Sequence, residues 1–237
     1  NQDSPSQTGR YDPENSQYQH VETPVKKNVH YLWKRMRQSL KDKRDSAAFE
    51  REKEIQAFFH QQVAAGQLLV YYFDGSGFTT TPCVPYGWQK RGETRRLPTA
   101  RSKRLNILGF MSLSNDCFFH AVEGRVDSHA AISAFDAFAA RYAEELARTK
   151  IPCFVILDNA PIHTSQAFLS KRDDWMLAGI YLHFLPPYSP ELNRIERLWH
   201  KMRHAWLVPK CRNRQTLEAD VEEIMDNFGS KYYFSFY

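Results

Sequence analysis

Hydrophobic and polar positions along this chain switch between two periods, and the switches mark its elements. Five apolar runs read as strands, at residues 68–73, 106–113, 117–123, 153–157 and 180–185. The first and fourth are unbroken, as expected of strands buried on both faces, and each stops at an acid, Asp74 and Asp158. Ser114, Asn115 and Asp116 join the second and third runs as a hairpin, while Gly75, Gly77, Pro82, Pro85 and Gly87 predict broken chain after the first. Between the strands the period becomes helical. A helix is predicted from an N-cap at Asp45 or Ser46 to Ala65, closed by Gly66. A second, capped by Asp127 or Ser128, buries Ile132, Phe135, Phe138, Tyr142 and Leu146. A third starts near Ser165. Ser189 and Pro190 open a fourth, running to about Leu207 with a core stripe of Leu192, Ile195, Trp199, Met202 and Trp206. A last helix, capped by Thr216, carries Leu217, Val221, Ile224 and Phe228. This order predicts an α/β fold, a mixed sheet with helices on both faces.

The pattern also divides the chain. Residues 1–25 are polar and proline-punctuated and read as a disordered or linker arm; 26–66 read as a basic linker and helix; 67–237 hold the alternating core. The chain does not start with Met, so a piece of a longer protein is expected. At 237 residues, with 42% hydrophobic and 25% charged positions, it has enough apolar surface for a real core, which excludes a wholly disordered or collagen-like chain. With no run of membrane-spanning length and no secretory leader, the expected setting is cytoplasmic, without a membrane partner. Cys83, Cys117, Cys153 and Cys211 are too scattered to indicate a disulfide framework or a zinc site.

Charge adds a partner. The formal net charge is +5, and the basic residues cluster. Residues 90–104 hold seven Lys or Arg, including Arg95, Arg96, Arg101, Lys103 and Arg104, against the single acid Glu93. On the fourth predicted helix Arg194, Arg197, Lys201 and His204 recur at three, four and three positions, one basic stripe. A solvated helix face explains either cluster alone; both together predict contact with nucleic-acid phosphates.

The two strand-ending aspartates carry the candidate chemistry. Each alone reads as a strand cap. If their strands are parallel neighbours, about 5 Å apart, both carboxylates project into one site beyond the strand ends, where ligands of open α/β sheets bind. Two carboxylates so close repel unless a cation lies between them, and a hard divalent ion with oxygen ligands fits. For a third acid the candidates are Glu191 and Glu196. The helix dipole accounts for Glu191 in a first turn; Glu196, read as deeper in the helix beside the apolar stripe, is the one expected in the site. No glycine-rich phosphate loop of either common type is present, which argues against a nucleotide-binding enzyme.

The stretch Asp158-Asn159-Ala160-Pro161-Ile162-His163-Thr164-Ser165, followed by Leu185-Pro186-Pro187-Tyr188-Ser189-Pro190-Glu191-Leu192-Asn193-Arg194-Ile195-Glu196-Arg197-Leu198-Trp199, resembles the catalytic core of bacterial insertion-sequence transposases of the mariner superfamily. Asp74-Gly75-Ser76-Gly77-Phe78 and the Tyr86-Gly87-Trp88 turn are similar too. The resemblance runs from about Trp33 to the C-terminus and departs from the family pattern at Gly75, where an acid is common, and Arg194, where proline is common. It implies an RNase H-like fold with a five-stranded sheet and an Asp, Asp, Glu triad falling on Asp74, Asp158 and Glu196. It further implies two Mg2+ ions per site, replaceable by Mn2+, and cleavage of transposon-end DNA followed by 3′-hydroxyl strand transfer into target DNA, at TA. A homodimer is implied, as is nucleoid association when DNA is bound. Full-length members carry N-terminal helix-turn-helix domains that are expected to be missing here. Asn159 and His163 are candidate supporting residues. Alternatives are an RNase H-like nuclease or resolvase without strand transfer, or a non-catalytic DNA-binding regulator.

Overall fold

The elements follow from local chemistry that can be checked residue by residue. In the computed structural model, which describes residues 41–81, 90–92, 102–208 and 210–234, Asp45 accepts hydrogen bonds from the Ala47 and Ala48 N–H groups and starts helix α1 (Ser46–Ala64). Gly66, at φ 70°, turns the chain into the sheet. The chain divides into Asn1–Gln38 and Ser39–Tyr237, and every described residue lies in the second unit. Five strands follow in the order β3-β2-β1-β4-β5: β1 (Leu69–Thr79), β2 (Arg104–Ser112), β3 (Cys117–Val122), β4 (Cys153–Leu157) and β5 (Ile180–Phe184). The hairpin β2–β3 and the pair β1–β2 are antiparallel, whereas β1–β4 and β4–β5 are parallel, giving the predicted mixed sheet.

Both faces are covered. Period-2 alternation sends Tyr71 and Phe73 of β1 to one side, where α2 (Ser128–Thr149), α3 (Gln166–Leu169) and α4 (Arg172–Leu177) close an aromatic core. Val70 and Tyr72 point to the other side, against α1, α5 (Ile195–Lys201) and α6 (Arg214–Asp226). Asp127 caps α2, whose buried stripe is Ala131, Ala134, Phe135, Phe138, Tyr142 and Leu146; Ile132, expected in that stripe, is only half-buried, at its edge.

Four expectations need correction. The first strand does not stop at Asp74 but continues through Gly75 and Gly77 to Thr79, paired with β2 as far as Arg104. Here glycine serves close packing: a Cβ on Gly77 would displace the Arg104 guanidinium that lies across the strand. The helix near Ser165 is two short pieces, α3 and α4, which bring Phe168 and Trp175 into one aromatic cluster. The long helix expected over 189–207 is a 3-10 turn (Pro190–Leu192), then α5, then a π-helical turn (Met202–Trp206). Ser189 makes no side-chain cap, and the break falls at Asn193, whose backbone is extended with ψ 99°. Finally, Asn213 rather than Thr216 is the N-cap of α6; Thr216 completes a capping box with it.

Candidate active site

The strand parity that builds the core also aims the acids. On β1 and β4 the last aligned pair is Tyr72 with Ile156, both on the α1/α5/α6 face. Two residues further along, at the same parity, stand Asp74 and Asp158, so the parallel pairing sets both on the side that carries α5. Glu196 comes from the first turn of α5, where it is partly exposed, not from deep within a continuous helix. The three carboxylates line one open cleft of about 420 Å³, with Asn159, Tyr188 and Asn193 among its other walls.

Each acid has its own environment. Asp74 is pushed up to about 7 by burial, reinforced by the charge of Glu196 and, less, of Asp158; the Gly75 N–H and the Trp199 indole oppose the shift. Trp199 Nε1 donates to Asp74 Oδ2 at 3.1 Å. The indole fits there because Gly109, the register partner of Asp74 on β2, has no side chain: a Cβ at Gly109 would lie 2.6 Å from the ring. Asp158 is lowered, chiefly by its hydrogen bond with His163, whose Nδ1 lies 2.8 Å from Oδ1. His163 is itself buried, edge-on to Phe73 and beside Phe168, so it backs Asp158 from inside the core. Glu196 is raised by partial burial, pulled back by the charge of Arg203 and raised again by Asp158.

Mutual repulsion among hard oxygen donors is what a divalent cation relieves. Among the described residues no group of three or more Asp, Glu, His or Cys side chains is already gathered closely enough to hold a metal ion.

Glu191 belongs elsewhere: it pairs with Arg44 at 2.5 Å. Asn159 donates through Nδ2 to the Leu185 carbonyl, tying the loop after β4 to the end of β5. The expected basic stripe is dispersed. Arg197 is exposed on α5 and His204 exposed beyond it. Arg194 is half-buried, interacting with the Tyr72 hydroxyl and lowering His60 together with burial. Lys201 Nζ donates to the Tyr233 carbonyl, over the Trp206 and Phe234 rings. Lys103 and Arg104 are exposed at the start of β2, whereas Arg95, Arg96, Arg101, Tyr86 and Trp88 lie outside the described residues.

Sequence reasoning missed Arg203. It donates to Ser76 Oγ on the continued part of β1, lies 5.6 Å from the Phe78 ring centroid and acts on Glu196. The signal was its seven-residue spacing from Glu196, two helical turns on one face. Asn193 was missed as well: it is buried, its Nδ2 donates to the Phe73 carbonyl at 2.9 Å, and its Oδ1 has no partner among the described residues.

A family model described as DDE superfamily endonuclease matches residues 69–218. Among solved structures the fold is similar to the Mos1 mariner paired-end complex with Mn, at TM-score 0.61 and 13% identity over 84% of this chain and 60% of that one. It is similar to the Mos1 strand transfer complex, at 0.54 and 17% over 85% and 61%. The isolated catalytic domain of Mos1 mariner transposase matches at 0.54 and 13%, over 82% and 85%. At these identities the likeness is one of fold, the RNase H-like fold. The chain thus spans about 60% of the length of the transposase in the paired-end complex. Among curated proteins none matches the sequence significantly.

Proposed function

The chain belongs to the DDE superfamily endonucleases, and on that premise we propose that it is a transposase that cuts transposon-end DNA and joins the freed 3′-hydroxyl to target DNA. The observation that carries the reading is the cleft in which Asp74 and Asp158, from neighbouring parallel strands, face Glu196 from α5. These three would hold two Mg2+ ions, or Mn2+ in their place. When bound, such ions activate the attacking oxygen and neutralise charge on the leaving oxygen.

The chain's own residues do the positioning. His163 keeps the Asp158 carboxylate oriented and ionised. Trp199 fixes one oxygen of Asp74. In both steps the attacking oxygen, of water for cutting and of a 3′-hydroxyl for joining, forms a P–O bond as the opposite P–O bond breaks in line. Lys103, Arg104, Arg197 and Arg203, with Arg95, Arg96 and Arg101 of the preceding basic segment, supply phosphate contacts. Arg194 and Lys201 would instead order the frame behind the cleft. Residues 67–237 are then the catalytic domain, and action on two ends calls for a homodimer. No described helix is long and apolar enough to cross a membrane.

The experiment compares wild type with Asp158→Asn on a transposon-end duplex and on a pre-cut end. Both cutting and joining should fall by about 10³-fold or more, with DNA affinity within about twofold. Cutting by the variant at wild-type rate overturns the reading. Wild-type cutting without joining assigns a nuclease, and binding without either assigns a regulator.

A further inference from the structure

Asp74 and Glu196 lie far apart in sequence on different elements, yet one buried residue bonds to the main chain beside both. Asn193 donates from Nδ2 to the carbonyl of Phe73, the residue before Asp74, at 2.9 Å. Its own carbonyl accepts from the Glu196 N–H at 3.2 Å, which sets the first turn of α5. The helix breaks at this residue; a continuous helix would commit the Asn193 carbonyl four residues on and turn its side chain with the helix. From the other side, Gln56 Nε2 of α1 donates to the Leu192 carbonyl at 3.2 Å. The junction before Glu196 is therefore pinned to β1 through Asn193 and to α1 through Gln56.

The side-chain amide is bonded at one end only among the described residues. Since Nδ2 is committed to a carbonyl, the side-chain orientation is fixed and Oδ1 is the atom left without a partner among the described residues, in a residue 4% exposed. Buried polar groups in folded proteins are nearly always satisfied, by ordered water or an ion where no protein group serves. Asn193 also lines the cleft itself.

We propose that Asn193 is a positioning residue that sets the separation of Asp74 and Glu196 and thereby the cleft's affinity for a divalent cation. The inference rests on the metal-binding reading of the three acids. Outer-shell groups that orient metal ligands are typically worth 10- to 100-fold in affinity or activity, and Asn193 acts in that way through the backbone.

The test is Mn2+ binding to the whole chain without DNA, followed by the electron paramagnetic resonance signal of free Mn2+, with circular dichroism as the check on folding. Wild type should bind, and Asp158→Asn should lose binding. Asn193→Ala should bind about 10- to 100-fold more weakly while folded, and Asn193→Leu, which refills the volume without a donor, should do the same. If either folded Asn193 variant binds within twofold of wild type, the positioning role is overturned while the metal site stands. If neither variant folds, Asn193 is a folding determinant and the proposal also falls. If wild type binds no Mn2+, or Asp158→Asn binds equally well, the metal-binding reading itself has failed.

Discussion

The two faces of the sheet share an apolar core but differ in how much polar bonding runs through it. Against α2, α3 and α4 the core is a continuous aromatic cluster: Phe110 stacks on Phe138 at 4.2 Å and 11°, and Phe135 meets Phe73, Phe168 and Trp175. Against α1 and α5 the interior is threaded with polar groups. Glu52 takes both carboxylate oxygens to His183 Nε2, at 3.0 and 2.9 Å, and Gln56 bridges Glu52, Tyr72 and Leu192. Ser76, Ser189 and Asn193 are buried there too. Apolar packing is non-directional and tolerates small shifts, whereas hydrogen bonds fix distance and angle. Both faces hold the domain together, but the acids stand on the α1/α5 side, and of the three only Asp158 is bonded, among the described residues, from the aromatic side, through His163.

That division can be broken from either side. Phe138→Ala, on the aromatic face, should cost about 3–5 kcal/mol in urea unfolding yet leave Mn2+ affinity of the folded chain within twofold; a large loss of affinity would show the faces to be coupled. Asp74→Asn, on the polar face, should do the reverse and stabilise the metal-free chain. With Asp74 pushed up to about 7, the unfolded chain is ionised above about pH 4 while the folded chain still holds its proton. Stability therefore falls as pH rises between those values, and the penalty stands in full above about 7. The variant should gain on the order of 3 kcal/mol at pH 8, and the gain should vanish toward pH 4; equal melting temperatures at pH 8 would contradict it. Asn213→Ala removes only the cap of α6 and should cost about 1 kcal/mol without touching metal binding, as thermal melts and titration would show.

Much of the frame was legible because it depends on local pattern. The unbroken runs ending at Asp74 and Asp158 marked two buried strands whose acids would share one site if the strands were parallel neighbours, and the pairing of Leu69 with Cys153 meets that condition. Asp45 and Asp127 were readable as caps because capping needs only a side-chain acceptor two or three residues before the N–H groups that donate to it. What escaped was decided at a distance. Gly75 and Gly77 read as chain breakers, yet β2 pairs across them and Arg104 fills the space above Gly77. The helix break at Asn193 answers to a carbonyl on β1, and no helical propensity announces that. Lys201 has the spacing of a basic stripe, but the C-terminal Tyr233 carbonyl and two aromatic rings claim it.

The strand order carries a kinetic consequence. The β2–β3 hairpin closes through a short turn, so it can form early from neighbouring residues. The β1–β4 pairing must instead close a long loop that contains the whole hairpin and α2, and contacts of that span form late. Asp74 and Asp158 come together only through this closure. A chain in which β1 and β4 have not yet paired therefore holds the two acids apart.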